Sequence, residues 1–199
     1  MKPLKKIAFT TPEISSCEPE MIAAVLDAGW DMVHIRHPEA SLTEIRSIIE
    51  ALPQKYHSRL RLHGHFILAA EFNLGGLHLN SRCPQPPAFY NGPLSRSCHT
   101  VAEVLDSKGF DYVTLSPVFP SVSKPGYGSS PVFTPQDFSQ IDKLAPTVVI
   151  ALGGVTPATL PLLQEMPFGG FAVLGSLMGC GDVALLKERL CQFNLTLNS

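Results

Sequence analysis

Apolar runs and helix-period runs alternate along this chain from end to end. Ile7-Ala8-Phe9-Thr10 reads as a short strand, and Glu18 to Ala28 follows with helical spacing (Met21, Ile22, Val25, Leu26) and stops at Gly29. Met32-Val33-His34-Ile35-Arg36 is the next strand pattern. Ser41-x-x-Glu44 then forms a capping box that opens a helix running to Leu52, before Pro53. Leu60-Arg61-Leu62-His63 and Leu77-His78-Leu79 read as strands three and four. Between Ser81 and Pro93 the pattern fails: Pro84, Pro86, Pro87, Asn91 and Gly92 predict a loop, with the fourth helix short or absent. Leu94 to Ser97 is a strand, Thr100 to Lys108 a helix ended by Gly109, and Tyr112 to Leu115 a strand. A Ser/Pro/Gly loop covers 116–131, and Thr134-Pro135-Gln136-Asp137 opens a helix with proline in its first turn.

The last third repeats one device. Val148 to Leu152 runs into Gly153-Gly154, and Phe171 to Leu174 runs into Gly175-Ser176. Thr156-Pro157 and Gly181-Asp182 open the final helices. About eight strand–helix units in succession predict a parallel sheet closed by right-handed crossovers. The expected fold is α/β: a single (β/α)8 TIM barrel over residues 1–199, compact beside the usual length of about 250 residues, with a shortened fourth helix. No G-x-G-x-x-G follows the first strand, which disfavours a doubly wound open sheet. In a (β/α)8 barrel the loops after the last two strands commonly hold phosphate, through backbone N–H groups and helix N-termini. Gly153, Gly154, Gly175 and Ser176 are therefore the candidate phosphate holders.

Composition narrows the function classes. At 199 residues, 45% hydrophobic and 16% charged, the chain fits one globular domain. A net charge of −2 makes no electrostatic case for nucleic acid. No apolar run reaches about 18 residues, so no membrane span is expected. Met1-Lys2-Pro3-Leu4-Lys5-Lys6 is not followed by the long apolar stretch of a signal peptide. Cys17, Cys83, Cys98, Cys180 and Cys191 are odd in number and form no C-x-x-C, so reduced thiols and a cytoplasmic location are expected.

In such a barrel the chemistry sits where strands end. His34 and Arg36, His63 and His65, and Ser97 and His99 occupy those places. Ser121, Ser123 and Lys124 lie in the loop after strand six, where hydroxyls and an ammonium suit phosphate or diphosphate oxygens. Arg36 suits a phosphate or carboxylate, and His99, just past a strand, suits proton transfer near neutrality. His63 and His65 share a face if the strand continues, and with His34, His78 and His99 they offer imidazoles to a zinc-type ion. Carboxylates are missing from these strand ends and Arg36 intrudes, so no metal ligand is assigned. His78 reads as a hydrogen-bonded core residue, while His37 and His57 read as surface. Cys98 has no local nucleophile signature.

Taken together these motifs resemble the thiamine-phosphate synthase/TenI family over nearly the whole chain. The strand-two motif Q-L-R-E-K stands here as His34-Ile35-Arg36-His37-Pro38, and G-V-H-L as Gly76-Leu77-His78-Leu79. S-x-H-(T/S) stands as Ser97-Cys98-His99-Thr100. G-P-V-F-x-T-x-T-K becomes Ser116 to Lys124, and A-I-G-G-(I/V)-T-P becomes Ala151 to Pro157. The resemblance implies a barrel, often dimeric, that binds small molecules. Synthases join a pyrimidine pyrophosphate to a thiazole phosphate, and TenI-type relatives move a proton on a thiazole phosphate carboxylate. By position, Arg36, Ser97, Ser123 and Lys124 would meet the pyrophosphate or pyrimidine side, and the two glycine turns the thiazole phosphate.

Three departures bear on function. The synthase N-D-R that supplies a magnesium aspartate reads His63-Gly64-His65 here, and the second magnesium aspartate falls in Ser81-Arg82-Cys83. The strand-two lysine is Pro38. The resulting expectation is a thiazole tautomerase, with His99 as acid/base, Arg36 or Lys124 steadying a carboxylate, and no cofactor. The alternatives are a synthase with altered metal binding, the one reading that leaves a place for magnesium, a non-catalytic barrel for thiamine-related ligands, and a zinc hydrolase built on the histidines.

Overall fold

The computed structural model describes residues 4–120 and 133–198. Ser121, Ser123 and Lys124 lie outside the described residues. Eight parallel strands close into a barrel in chain order, with the last pairing back onto the first. They are β1 (Lys5–Phe9), β2 (Met32–Ile35), β3 (Leu60–Leu62), β4 (Gly76–Leu79), β5 (Leu94–Cys98), β6 (Tyr112–Leu115), β7 (Val148–Leu152) and β8 (Gly170–Val173). The helices are α1 (Glu18–Asp27), α2 (Leu42–Glu50), α3 (Ile67–Glu71), α4 (Val101–Leu105), α5 (Pro135–Leu144), α6 (Leu160–Leu163), α7 (Gly175–Met178) and α8 (Val183–Asn198). No helix separates β4 from β5, so the expected short fourth helix is absent, as the prolines of that stretch dictate.

Local chemistry explains the boundaries. Ser41 Oγ accepts from the Glu44 N–H at 3.3 Å while Glu44 accepts from the Ser41 N–H at 2.8 Å, which completes the capping box. The same reciprocal pair opens α4 (Thr100 and Glu103) and α5 (Thr134 and Asp137). Each such cap satisfies two N–H groups that the first turn would otherwise leave unpaired. No described helix is long and apolar enough to cross a membrane.

Strand alternation divides the interior in two. Ala8, Val33, Leu62, Leu77, Val113, Val149 and Phe171 face outward and join the main core beneath the helices. Trp30 anchors that core, edge-on to Phe171 and Phe193, which ties α8 to the barrel. The opposite parity faces the lumen. There Ile7, Phe9, Tyr112, Ile150 and Ala172 form a separate cluster. The buried polar residues His34, Arg61, His78, Ser95 and Thr114 share that inward parity.

Candidate active site at the barrel mouth

Three imidazoles meet in the upper lumen. His34 is on β2, His78 on β4, and His63 directly follows β3, its N–H donating to the Ile35 carbonyl at 3.3 Å. His34 Nδ1 lies 2.9 Å from His63 Nε2, and the His63 and His78 rings stack at 4.3 Å between centroids. Phe9 stacks on His34 at 4.4 Å and presents its edge to the other two. The outer partners are Tyr112, whose hydroxyl is 2.5 Å from His34 Nε2, and Ser95 and Ser97, each 2.9 Å from one nitrogen of His78.

These contacts assign protons. Ser95 donates to the Leu77 carbonyl at 3.2 Å, so its oxygen accepts from His78 Nδ1–H. The neutral His78 ring then accepts at Nε2 from the Ser97 hydroxyl. Neutrality follows from burial. His78 is pushed down to about 3, first by burial and then by the charges of Arg61 and Arg36. Burial also lowers His34 well below its ordinary value, helped by His78, His63 and Arg61. His63 is lowered by burial, then by His78 and Arg36. Burial pushes the Tyr112 phenol up to about 12. Near neutral pH the three rings and the phenol are hydrogen-bonded and uncharged, with the guanidinium groups of Arg61 and Arg36 flanking them.

Arg61 lies beneath the cluster, its guanidinium 4.5 Å from the Tyr112 ring centroid and paired with Asp111. Arg36 sits at the rim, partly exposed, with its backbone N–H donating to Thr10 Oγ1 at 2.8 Å. His99 is exposed at the mouth after β5. Its Nδ1 is 3.0 Å from the Ser116 carbonyl. A carbonyl only accepts, so Nδ1 carries the proton and Nε2 of the neutral ring is left as a base. Ser116 and Pro117 pack against the Gly153 turn, where an added Cβ would lie 2.9 Å from Pro117. His99 is thus linked through one short segment to the glycine turns.

Those turns are adjacent: β7 pairs with β8, and Ser176 Oγ donates to the Val155 carbonyl at 2.8 Å. Gly153 and Gly154 have φ of +90° and +65°. A side chain on Gly154 would also come within 2.7 Å of the Phe119 and Pro120 carbonyl oxygens. Only glycine meets both demands without strain.

His34, His63 and Ser97 therefore converge with His78, whereas His99 and Arg36 stand at the mouth. His65 does not join them, contrary to the expected shared face. The strand ends at Leu62, His65 has φ of +50°, and its Nε2 lies 2.8 Å from the Ala40 carbonyl. His37 and His57 are buried rather than on the surface. His37 is 2.5 Å from the buried Glu18, and His57 lies between the Leu52 and Phe72 carbonyls. Cys98 is buried with its thiol pushed up by burial, which disfavours a thiolate nucleophile. Phe9, Ser95, Tyr112 and Thr114 were missed from sequence. Parity carries the signal for three of them: Phe9 is in register with His34, Thr114 is in register with Ser97, and Ser95 lies two residues before Ser97; Tyr112 follows only at one remove, in register with Ser95.

The donor set does not fit the magnesium that a synthase would need. Magnesium takes oxygen ligands. Asn80 Oδ1 already accepts from the N–H groups of Arg82 (3.0 Å) and Cys83 (3.2 Å). Of the carboxylates in the loops beside the histidines, Glu18 bonds His37, Glu39 pairs with Arg82, and Glu103 caps α4; Glu13 is exposed in the β1–α1 loop, and Asp182, after β8, accepts from the Leu185 N–H.

A closed (β/α)8 barrel with polar groups converging where its strands end has the architecture of a barrel enzyme. The profile of the family described as thiamine monophosphate synthase matches residues 7–177, and the chain belongs to that family. A solved thiamine phosphate pyrophosphorylase from Bacteroides thetaiotaomicron is 33% identical, covers 98% of both chains and superposes with a TM-score of 0.84. The thiamine-phosphate synthase of Cronobacter sakazakii is 26% identical over 183 residues, 87% of each chain. The thiamine phosphate pyrophosphorylase of Pyrococcus furiosus, 20% identical, shares the fold with a TM-score of 0.77 over 98% of this chain and 96% of its own.

Proposed function

We propose that this chain is a proton-moving member of its family, a thiazole tautomerase acting on a small thiazole phosphate. The observation that carries the reading is the mouth itself. Where a synthase would place magnesium carboxylates, this chain sets His63 beside His34 and His78. Without that metal, the charge on a departing pyrophosphate would lack its usual neutralisation. Proton transfer on a bound ring makes no such demand.

In this reading the Gly153-Gly154 and Gly175-Ser176 turns hold the phosphate, and Arg36 steadies a carboxylate. His99 Nε2 accepts a proton from one position of the substrate and returns it at another, so no atom is gained or lost. The Ser116 carbonyl holds the ring in the tautomer that leaves Nε2 unprotonated.

The test supplies a thiazole phosphate carboxylate in deuterated buffer and follows interconversion and deuterium uptake by proton NMR. Interconversion is expected, with His99→Asn slower by about 100-fold or more. An unchanged rate in that variant removes His99 from the role. The names of the relatives favour a second reading, synthase. Stoichiometric thiamine phosphate and pyrophosphate from pyrimidine pyrophosphate, thiazole phosphate and magnesium would establish it and overturn the tautomerase. Ligand binding with no turnover in either assay would leave a binding protein.

A further inference from the structure

We infer that His34, His63 and His78 form a metal site that takes one zinc-class divalent ion in the upper lumen and leaves its fourth position open toward the mouth. The inference rests on the lumen geometry and needs no part of the thiazole reading. One nitrogen from each ring can be chosen so that all three lie within 4.8 Å of one another. His34 Nδ1 and His63 Nε2 are already 2.9 Å apart. Two nitrogens on a tetrahedral zinc ion stand roughly 3.3 Å apart, so the ion requires those two rings to separate by about half an ångström and the widest pair of the set, within 4.8 Å, to draw together.

The far side of two of the rings, His78 and His34, matches what metal-bound histidines need. Such rings usually donate their second N–H to a fixed acceptor. His78 Nδ1–H is held by Ser95, which is itself anchored on the Leu77 carbonyl. His34 Nε2 meets Tyr112, whose hydroxyl has a second acceptor, Met32 Sδ, at 3.5 Å. When the phenol turns to that sulfur, its oxygen accepts from His34 Nε2–H, and Nδ1 is freed for the ion. His34 Nδ1, His63 Nε2 and His78 Nε2 are then the ligating set, and Ser97, released from His78, stands beside the open position. Three imidazoles suit zinc and its neighbours, and an all-nitrogen set is a poor one for magnesium. Phe9 walls one side.

Arg36 and Arg61 face the cluster and oppose a cation. Arg61 is paired with Asp111 beneath the cluster, and Arg36 stands unpaired among the described residues at the rim. A divalent ion beside that guanidinium makes a rim with three positive charges, so the open position should take an anionic oxygen, a carboxylate or phosphate, in preference to a neutral ligand.

The experiment uses the full chain without a histidine tag, stripped with chelator and titrated with Co2+ near neutral pH. The visible d–d absorption of four-coordinate cobalt is expected to saturate at one equivalent and to disappear when Zn2+ is added. His63→Ala should abolish it. Tyr112→Phe, which touches the ion only through His34, should weaken binding about 10- to 100-fold. His65→Ala, outside the cluster, should leave it unchanged. A folded chain with no saturable cobalt signal, or a signal that survives His63→Ala, overturns the site. If His63→Ala fails to fold, the wild-type imidazole resonances decide. On adding Zn2+ those of His34, His63 and His78 must move while those of His65 and His99 stay. Any other pattern overturns it.

Discussion

The two halves of the lumen are built from the same parity of strand positions and have opposite chemistry. On β7, β8 and β1 the inward residues are Ile150, Ala172, Ile7 and Phe9. From β2 to β6 they are His34, Arg61, His78, Ser95, Tyr112 and Thr114. The apolar half gains stability by removing hydrocarbon from water, in proportion to area and without directional demands. The polar half gains little net stability, because each group it buries must recover in hydrogen bonds what it loses in hydration. A barrel carries such a half only where the rest of its core offsets the cost, and the glycine turns sit above the half that does the offsetting.

The largest expected difference between the halves is in acid. With metal removed by chelator, His78 titrates near its ordinary value of about 6.5 in the unfolded chain and at about 3 when folded. The unfolded state therefore binds the extra proton first. The stability contributed by the neutral buried ring is intact above about pH 6.5 and is lost as pH falls toward 3. The loss is about 1.4 kcal/mol per pH unit from this residue, and His34 adds to it with the same sign. Urea midpoints measured at falling pH should drop steeply, and His78→Asn should flatten the slope. Equal stability at pH 7 and about pH 5 would mean that this half is not dry.

In the apolar half, Ile150→Ala should cost about 3 kcal/mol at every pH, read as a shift in the urea midpoint. A pH-dependent cost there would show that the halves are coupled. Tyr112→Phe should cost about 1 kcal/mol, because His34 Nε2 loses its partner while the ring packing stays. The smallest effect should come from Thr114→Val. Thr114 Oγ1 is buried with no hydrogen-bond partner among the described residues, so exchanging it for a methyl should be neutral or slightly stabilising. A clear loss of stability in that variant would reveal a partner for this hydroxyl.

Much of this was readable in advance. The alternation of strand and helix patterns, the capping box at Ser41, the helix stop at Gly29 and the proline-rich gap before Leu94 follow from short-range sterics and hydrogen bonding, which neighbours in sequence control. Strand boundaries were right to within a residue or two, the usual latitude at element ends. The glycine turns were legible for the same reason. His65 was not, because whether a strand continues past Leu62 depends on the neighbour it pairs with. His37 and His57 were misplaced because their polar character says nothing about the carboxylate or carbonyls that enclose them.

The sequence by itself determined the class of fold, the order of its units, the paired glycine turns and the family. All of these are set by periodicity, backbone permissiveness and motifs that lie within a few consecutive residues. Only the tertiary structure decided which histidines meet. His34, His63 and His78 lie as far as 44 positions apart along the chain, and barrel closure stacks them within a few ångströms. It also decided that they are neutral, since desolvation comes from the packing around a group and not from the residues beside it in sequence.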